Sequence, residues 1–467
     1  MSEQLRRRLN VVGRVQGVGF RPFIYRLATD LGLAGAVGND SQGVFVEVEG
    51  SANAVTTFIE RMPAELPVLA KIHSLEILEM KLTGQASFVI KESESGGKQN
   101  VEVTPDVSTC ADCLREMNDK VDRRFGYPFI NCTNCGPRYS IVKSIPYDRK
   151  STTMASFPMC EACQKEYDSP LDRRFHAQPN ACFDCGPHVW LTDEKGELVA
   201  KDDAIAACAK ELLAGKIVAI KGLGGFHLAC RADDDEVLQR LRKLKARETK
   251  PLALMVPSLK SAAKLVQLDQ LAEKTLLSVA HPIVLCPKVK DCPISEHIAP
   301  GTRTLGIMLP YTPMHELLFD KVQIPLVMTS ANPSDEPLCA ENEEALKRLS
   351  HIASHFLLHN RDIERAIDDS VVVAMNGRMV PLRRARGYVP AKVPVEDRGE
   401  TTVLATGGDL KSSVCLLSAN EATVSEHLGE LENPMALRNF MSAIDKMKDL
   451  LSLTPQVVAY DLHPAYG

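Results

Sequence analysis

The chain has 467 residues, 45% hydrophobic and 25% charged, with 55 basic side chains against 60 acidic ones and a net charge of -5. That length asks for about three or four domains, and the composition is that of a soluble globular protein. The charge excludes a nucleic-acid binder driven by overall basicity, and no apolar stretch approaches the roughly 18 residues that span a bilayer.

The segment after Met1 (Ser2-Glu3-Gln4-Leu5-Arg6-Arg7-Arg8) has no apolar core of a secretory signal. A cytoplasmic location is therefore expected, where the fourteen cysteines stay reduced and paired Cys-x-x-Cys units read as metal ligands.

Residues 1–92 read as an α+β unit. An alternating run around Leu9 and Val11 enters the loop Gly13-Arg14-Val15-Gln16-Gly17-Val18-Gly19-Phe20-Arg21. A helix follows, with Ile24, Leu27, Ala28 and Leu31 on one face and Gly32 at its end. Gly43 to Glu49 alternates again, and Ser51 is placed to cap a helix carrying Val55, Phe58, Ile59 and Met62. Strand-like runs lie near Lys71–Glu79 and Ser87–Lys91, and the order βαββαβ predicts a ferredoxin-like sandwich. The glycines free the 13–21 backbone to aim N–H groups at an anion, with Arg21 entering the helix as a bidentate donor. Taken alone, such a loop is more often a plain turn. Together with Gly35-Ala36-Val37-Gly38-Asn39-Asp40-Ser41-Gln42-Gly43-Val44 it resembles the two acylphosphatase motifs, with Ser41-Gln42 where that family commonly has Asp-Gly. The resemblance implies that Arg21 binds a phosphoryl group and Asn39 orients the attacking water, without metal or covalent intermediate.

Glu92 to Gln99 reads as a linker. Residues 105–190 then carry a duplication. Cys110, Cys113, Cys132 and Cys135 recur as Cys160, Cys163, Cys182 and Cys185 at a constant offset. The same offset carries Arg123-Arg124-Phe125 onto Arg173-Arg174-Phe175, and Gly136-Pro137 onto Gly186-Pro187. Two Cys-x-x-Cys knuckles per repeat predict two structural, closed Zn²⁺ sites. Redox pairs or an iron–sulfur cluster are the competing readings, and local pairing within each repeat is favoured over crossed pairing.

Residues 200–390 alternate helices with apolar strands, which predicts an α/β unit. It holds Lys221-Gly222-Leu223-Gly224-Gly225, a helix from Asp235 that leads to Lys245, Arg247 and Lys250, and Thr329-Ser330-Ala331-Asn332-Pro333. Each alone is a turn or a solvated basic face. Together they resemble the YrdC/Sua5 family, which makes carbamoyl-type adenylates from ATP. That resemblance implies that Lys221, Lys245, Arg247 and Lys250 neutralise triphosphate charge and that Ser330 and Asn332 hydrogen-bond the nucleotide. Arg383 and Arg384 are further phosphate candidates; His227 reads as a core histidine, and Asp368-Asp369 as a Mg²⁺ ligand pair or a solvated turn.

Residues 400–467 contain Ala405-Thr406-Gly407-Gly408-Asp409-Leu410-Lys411, Ser425-Glu426-His427-Leu428-Gly429 and Asp461-Leu462-His463-Pro464. These resemble the start of a Kae1/TobZ-type domain, and a unit stopping after one strand at Val457 to Tyr460 is expected to continue in a longer chain. The four motif sets in this order resemble the HypF family of hydrogenase-maturation carbamoyltransferases. The resemblance implies carbamoyl phosphate and ATP (with Mg²⁺) as substrates and HypE, through its C-terminal cysteine, as carbamoyl acceptor. It further implies that the metal-binding histidines of the last domain lie beyond Gly467. Two other functions compete: a threonylcarbamoyl-adenylate synthase with accessory domains, which does not account for the first loop or the cysteine repeat, and an RNA-binding module, for which the stacking aromatics are too few.

Overall fold

The computed structural model describes all residues except 1–2, 16, 40–42, 92–102, 146, 333–335, 397–398, 400, 465 and 467. The expected 92–99 linker and Ser41-Gln42 lie outside the described residues.

Alternation in Gln4–Arg14 buries Leu9 and Val11. This strand pairs antiparallel with Val44–Ser51 on one side and Lys71–Glu79 on the other. Ala34–Asn39 extends the sheet antiparallel to Val44–Ser51, and Phe88–Ile90 adds a short parallel edge strand. Helices Phe20–Asp30 and Ala52–Ala64 pack together on this sheet. Ser51 caps the second by accepting a hydrogen bond from the Ala54 N–H at 3.3 Å. The ferredoxin-like expectation stands: Lys71–Glu79 and Phe88–Ile90 are strands as expected, and Ala34–Asn39 is a strand that the sequence reading did not mark.

The two cysteine repeats fold as an intertwined pair. Each has a short helix starting just after its first cysteine, Ala111–Asn118 and Glu161–Asp168. The duplicated arginines reach across to the other repeat. Arg124 bonds Glu166 at 2.5 Å and the Ala181 carbonyl at 2.9 Å; Arg174 bonds Glu116 and, at 3.1 Å, the Asn131 carbonyl. Arg123 contacts Cys163 Sγ at 3.2 Å and Glu166, while Arg173 contacts Cys113 Sγ at 3.0 Å and Glu116. Every one of these contacts has its counterpart in the other repeat, so the pair is a pseudo-symmetric block.

Beyond it lies an eleven-stranded mixed sheet running from Val189 to Arg383, with separate apolar clusters on its two faces. Its edge includes Val189–Asp193, paired antiparallel with His355–His359, and Leu198–Ala200. The sheet therefore begins at the junction between the cysteine repeats and the α/β segment, because Trp190 and Leu191 pack on its face. Val403–Ala405, Cys415–Ser418, Glu421–Val424, Val457–Ala459 and the two-residue Val393–Pro394 form a third sheet, packed with the helix Pro434–Leu451.

The cysteine block touches all three neighbours. It shares one apolar cluster with the first domain, in which Phe20 and Phe58 join Phe129, Ile130 and Met154. Val142 and Tyr139 pack with Ile367, Ala385 and Leu450 of the later units. Backbone bonds Ser108 N–H to Val279 O (2.9 Å) and Glu364 N–H to Ser140 O (2.8 Å) fix the large sheet, and Tyr139 Oη donates to Glu426 at 2.9 Å.

Burial works to raise the Glu166 carboxyl, but hydrogen bonds from Arg124 and Arg123 overcome it and lower it to about 2. Glu166→Ala, which strands the buried Arg124, is expected to lower unfolding stability by on the order of 3 kcal/mol. A denaturant midpoint unchanged from the parent would show that the cross-repeat pair carries no stability.

Candidate functional site

Three sites are built on this frame. The first lies where the glycine loop meets the cysteine block. Gly17 and Gly19 have φ of 66° and 74°, a left-handed geometry that glycine adopts without strain. Gly19 is the N-cap of Phe20–Asp30, no side chain caps that end, and no acidic residue sits in its first turn. The end is thus open to an anion. Arg21 stands in the first turn, and among the described residues no acceptor hydrogen-bonds its guanidinium. Burial lowers its pKa, opposed by Asp148. The pocket is walled by Gly17, Gly19 and Arg21 on one side and by Thr133, Arg138, Tyr147 and His176 of the cysteine block on the other. Burial and Arg21 together push His176 down to about 4, so at neutral pH it is an uncharged wall. Arg138 binds the Gly17 carbonyl at 3.3 Å and ties the loop to the block. Asn39 closes the strand Ala34–Asn39 opposite Val44; its side chain lies outside those described.

The two metal clusters come next. Sulfurs of Cys110, Cys113, Cys132 and Cys135 stand 3.5–3.9 Å apart in neighbouring pairs, and those of Cys160, Cys163, Cys182 and Cys185 stand 3.6–3.8 Å apart. Four thiolates about 2.3 Å from a zinc ion are about 3.8 Å apart, so both sets fit a tetrahedral Zn²⁺. Pairing is local within each repeat, as the spacing predicted. The donor sets are complete, which fits a structural and not a catalytic role. Of the other six cysteines, Cys208, Cys230, Cys286 and Cys339 are buried, Cys292 and Cys415 partly so.

The third site is on the large sheet. Asp234 caps Asp235–Leu244 by accepting from the Val237 N–H at 3.1 Å, and Lys245 occupies the C-cap. The sequence pattern left Lys245 on a polar helix face. Its side chain is instead buried, with Nζ donating to the Ser330 carbonyl (2.6 Å), the Asn332 carbonyl (2.6 Å) and Asn332 Oδ1 (3.1 Å). Ser330 Oγ donates to the same Asn332 oxygen at 3.1 Å. Arg247 donates to Thr329 Oγ1 at 3.2 Å and to the Pro251 carbonyl. Burial, then Arg247, lower Lys245 to about 7; burial lowers Arg247 to about 10. Lys250 is exposed and acts electrostatically on Lys245. Arg383 pairs with Asp368 at 2.5 Å, and both act on Arg247.

Lys245, Arg247, Lys250, Ser330, Asn332 and Arg383 thus come together. Lys221 lies apart from them, buried, with Nζ 3.3 Å from the His359 carbonyl. Arg384 turns towards the last unit, donating to the carbonyls of Val424 (3.0 Å), Tyr388 (3.0 Å) and Ala391. Asp369 is no solvated turn: it is buried between Arg386 Nε (2.7 Å) and His227 Nε2 (2.9 Å), and its carboxyl is held well below the usual range. Sequence reasoning missed that His227 Nδ1 is buried without a hydrogen-bond partner among the described residues, and missed the cross-repeat role of Arg123, Arg124, Arg173 and Arg174. The constant offset that carries those arginines, and Glu116 onto Glu166, was the available signal.

Two predictions follow from this geometry. Arg173→Ala, which removes a donor to Cys113 Sγ, is expected to speed chelator-driven zinc release from the first cluster several-fold and leave the second slower; two equal rates would contradict it. Lys245, lowered to about 7, is largely neutral at pH 8, and an anion beside it restores the ammonium. Triphosphate binding at pH 8 is therefore expected to take up close to one proton, read by calorimetry in buffers of different ionisation enthalpy, and less in Lys245→Met.

Family models match in chain order: "Acylphosphatase" over residues 7–90, "HypF finger" over 109–142 and 159–192, "Telomere recombination" (the Sua5, YciO and YrdC family) over 210–385, and "HypF Kae1-like domain" over 398–467. The chain is 47% identical over 459 residues to carbamoyltransferase HypF of Synechocystis, covering 98% of this chain and 60% of that protein. It is 45% identical to carbamoyltransferase HypF2 of Cupriavidus necator, covering 99% and 60%. It superposes on a crystal structure of full-length HypF in a phosphate- and nucleotide-bound form with a TM-score of 0.94 at 44% identity, covering all of this chain and 61% of that one. The chain thus spans about 60% of the length of these relatives. No helix among the described residues is long and apolar enough to cross a membrane. Over the part of those proteins that it spans, the chain belongs to the HypF family.

Proposed function

We propose that this chain hydrolyses carbamoyl phosphate at the Arg21 loop and captures the carbamate with ATP as carbamoyl-adenylate at the Lys245 cluster. The observation that carries this reading is an uncapped helix end and a half-buried Arg21, without a hydrogen-bond acceptor among the described residues, facing a pocket that a second domain closes. Water attacks phosphorus and the P–O bond to the carbamoyl group breaks, giving carbamate and inorganic phosphate. Arg21 and the loop N–H groups stabilise charge on the phosphoryl oxygens, and Asn39 orients the water. No protein nucleophile is needed.

Carbamate decomposes in bulk water, so its capture should occur within the fold. A carbamate oxygen attacks the α-phosphorus of ATP and pyrophosphate leaves. Lys245, Arg247, Lys250 and Arg383 balance the triphosphate charge, and Ser330 and Asn332 orient the nucleotide. Mg²⁺ enters with ATP, held by phosphates and water, since both oxygens of Asp369 are committed to Arg386 and His227. Lys221, bonded to the His359 carbonyl, lies apart from this cluster. Arg384, with carbonyl partners, ties the α/β unit to the last unit. In the longer proteins of the family the carbamoyl group would pass to the C-terminal cysteine of HypE, towards cyanide ligands of a nickel–iron centre, in the cytoplasm.

The relatives named carbamoyltransferase support this reading over a threonine-dependent synthase. The decisive assay is carbamoyl-phosphate-dependent ATP–pyrophosphate exchange by the zinc-loaded chain, with phosphate release read in the same tubes. Exchange is expected in the parent and a loss of at least a hundredfold in Arg21→Ala and in Lys245→Ala. Exchange driven by bicarbonate and threonine, with no response to carbamoyl phosphate, would contradict the proposal. Salt-sensitive RNA binding without turnover would favour a binding module.

A further inference from the structure

We propose that the pocket between the cysteine block and the large sheet is a binding site for a small carboxylate-like monoanion, with Arg361 as its principal ligand. The pocket is lined by Phe129, Gly136 and Pro137 of the block and by Gly222, His359 and Arg361 of the α/β unit. Gly136 and Pro137 directly precede Arg138, which lines the Arg21 pocket, so a single turn of the block forms a wall of both.

Arg361 is only 6% exposed, yet among the described residues its guanidinium has no hydrogen-bond acceptor and no ion pair. The other buried arginines are all provided for. Arg6 has Glu47, Arg124 has Glu166, Arg174 has Glu116 and Arg386 has Asp369. Arg138, Arg242 and Arg365 have backbone carbonyls. The Arg361 guanidinium lies over the Phe129 ring, 5.0 Å from its centroid, a contact that uses none of its N–H donors. A buried cation in this state is costly unless an anion completes it.

Its surroundings do not supply that anion. Asp106 acts on Arg361, but its oxygens accept from Arg138 N–H (2.6 Å), Ser140 N–H (3.2 Å) and Ser140 Oγ (2.8 Å). Lys221 is a second buried cation near Arg361, lowered to about 8 by burial against the opposing pull of Asp362 and Glu341, and its Nζ donates to the His359 carbonyl at 3.3 Å. His359 is fixed as the neutral Nε2–H tautomer: its Nε2 faces the Gly222 carbonyl at 3.2 Å, and its Nδ1 accepts from the Arg361 N–H at 3.2 Å. The Arg361 guanidinium, a neutral imidazole and an apolar floor suit one small planar anion. A guanidinium edge binds a carboxylate in a bidentate fashion, while the small pocket excludes a nucleotide. Carbamate has this shape and charge. That assignment, unlike the site itself, rests on the function proposed above, and makes the pocket a station for carbamate between the two reactions.

The probe is [13C]formate, followed by NMR line broadening on the zinc-loaded chain, with the nucleotide site filled by a non-hydrolysable ATP analogue. Arg21→Gln removes the unpaired guanidinium of the first pocket. In that background saturable formate binding is expected. Adding Arg361→Gln should weaken it at least tenfold, and Arg361→Lys should restore part of it. Absence of binding in Arg21→Gln, or equal binding after Arg361→Gln, would overturn the site. Separately, in otherwise parental protein, Arg361→Gln should lower pyrophosphate exchange per phosphate released by about tenfold; an unchanged ratio would overturn its place on the route. A parent without carbamoyl-phosphate-dependent exchange would sink the proposed reaction, while the formate result still decides the site.

Discussion

Two tetrathiolate clusters held within one small block set the electrostatic problem that the rest of the molecule solves. With zinc bound, each cluster would carry net negative charge, and each repeat contributes a half-buried carboxylate beside it, Glu116 or Glu166. The neutralising arginines come from the opposite repeat. Neither finger is therefore complete alone: the charge that stabilises one metal site is delivered by the fold of the other. Small cysteine-rich modules lack the apolar area to be rigid by packing alone. Here metal and crossed guanidinium contacts supply the rigidity, and the block can act as a wall for its neighbours.

That wall explains why an acylphosphatase-like loop is joined to a nucleotide-type sheet. A free-standing loop with Arg21 would open to solvent. Thr133, Arg138, Tyr147 and His176 close it, and the turn at Gly136 and Pro137 carries the same wall to the next pocket. Tyr139 and Arg384 continue the contact to the last sheet. The physical demand comes from the chemistry proposed for the chain: an intermediate that breaks down in water needs a guarded path, and a guarded path needs domains that do not drift apart.

Much of this was legible in the sequence. The constant offset between the cysteine sets marked all eight ligands; local pairing was favoured but crossed pairing stayed open, and the folded positions of the sulfurs decide it. The glycine loop and the βαββαβ order located Arg21, since those features depend on local backbone geometry. What stayed hidden depends on contacts between distant segments. Lys245 looks like one more cation on a polar helix, and only the C-cap position, with Ser330 and Asn332 folded over it, buries it. Arg384 and Arg383 are neighbours in sequence yet point to different partners. Arg361 belongs to no recognisable motif, and its significance lies in the missing partner, which no sequence pattern reports.

The central claim is that carbamate stays within the fold between its release and its capture. The direct measurement supplies unlabelled carbamoyl phosphate and ATP in a buffer of [13C]bicarbonate and ammonia, and reads the isotope in carbamoyl-adenylate by rapid-quench mass spectrometry. Retention predicts an adenylate free of label while bulk carbamate is fully labelled. An adenylate carrying the label in proportion to the bulk would show that the intermediate escapes and returns, and would contradict the account.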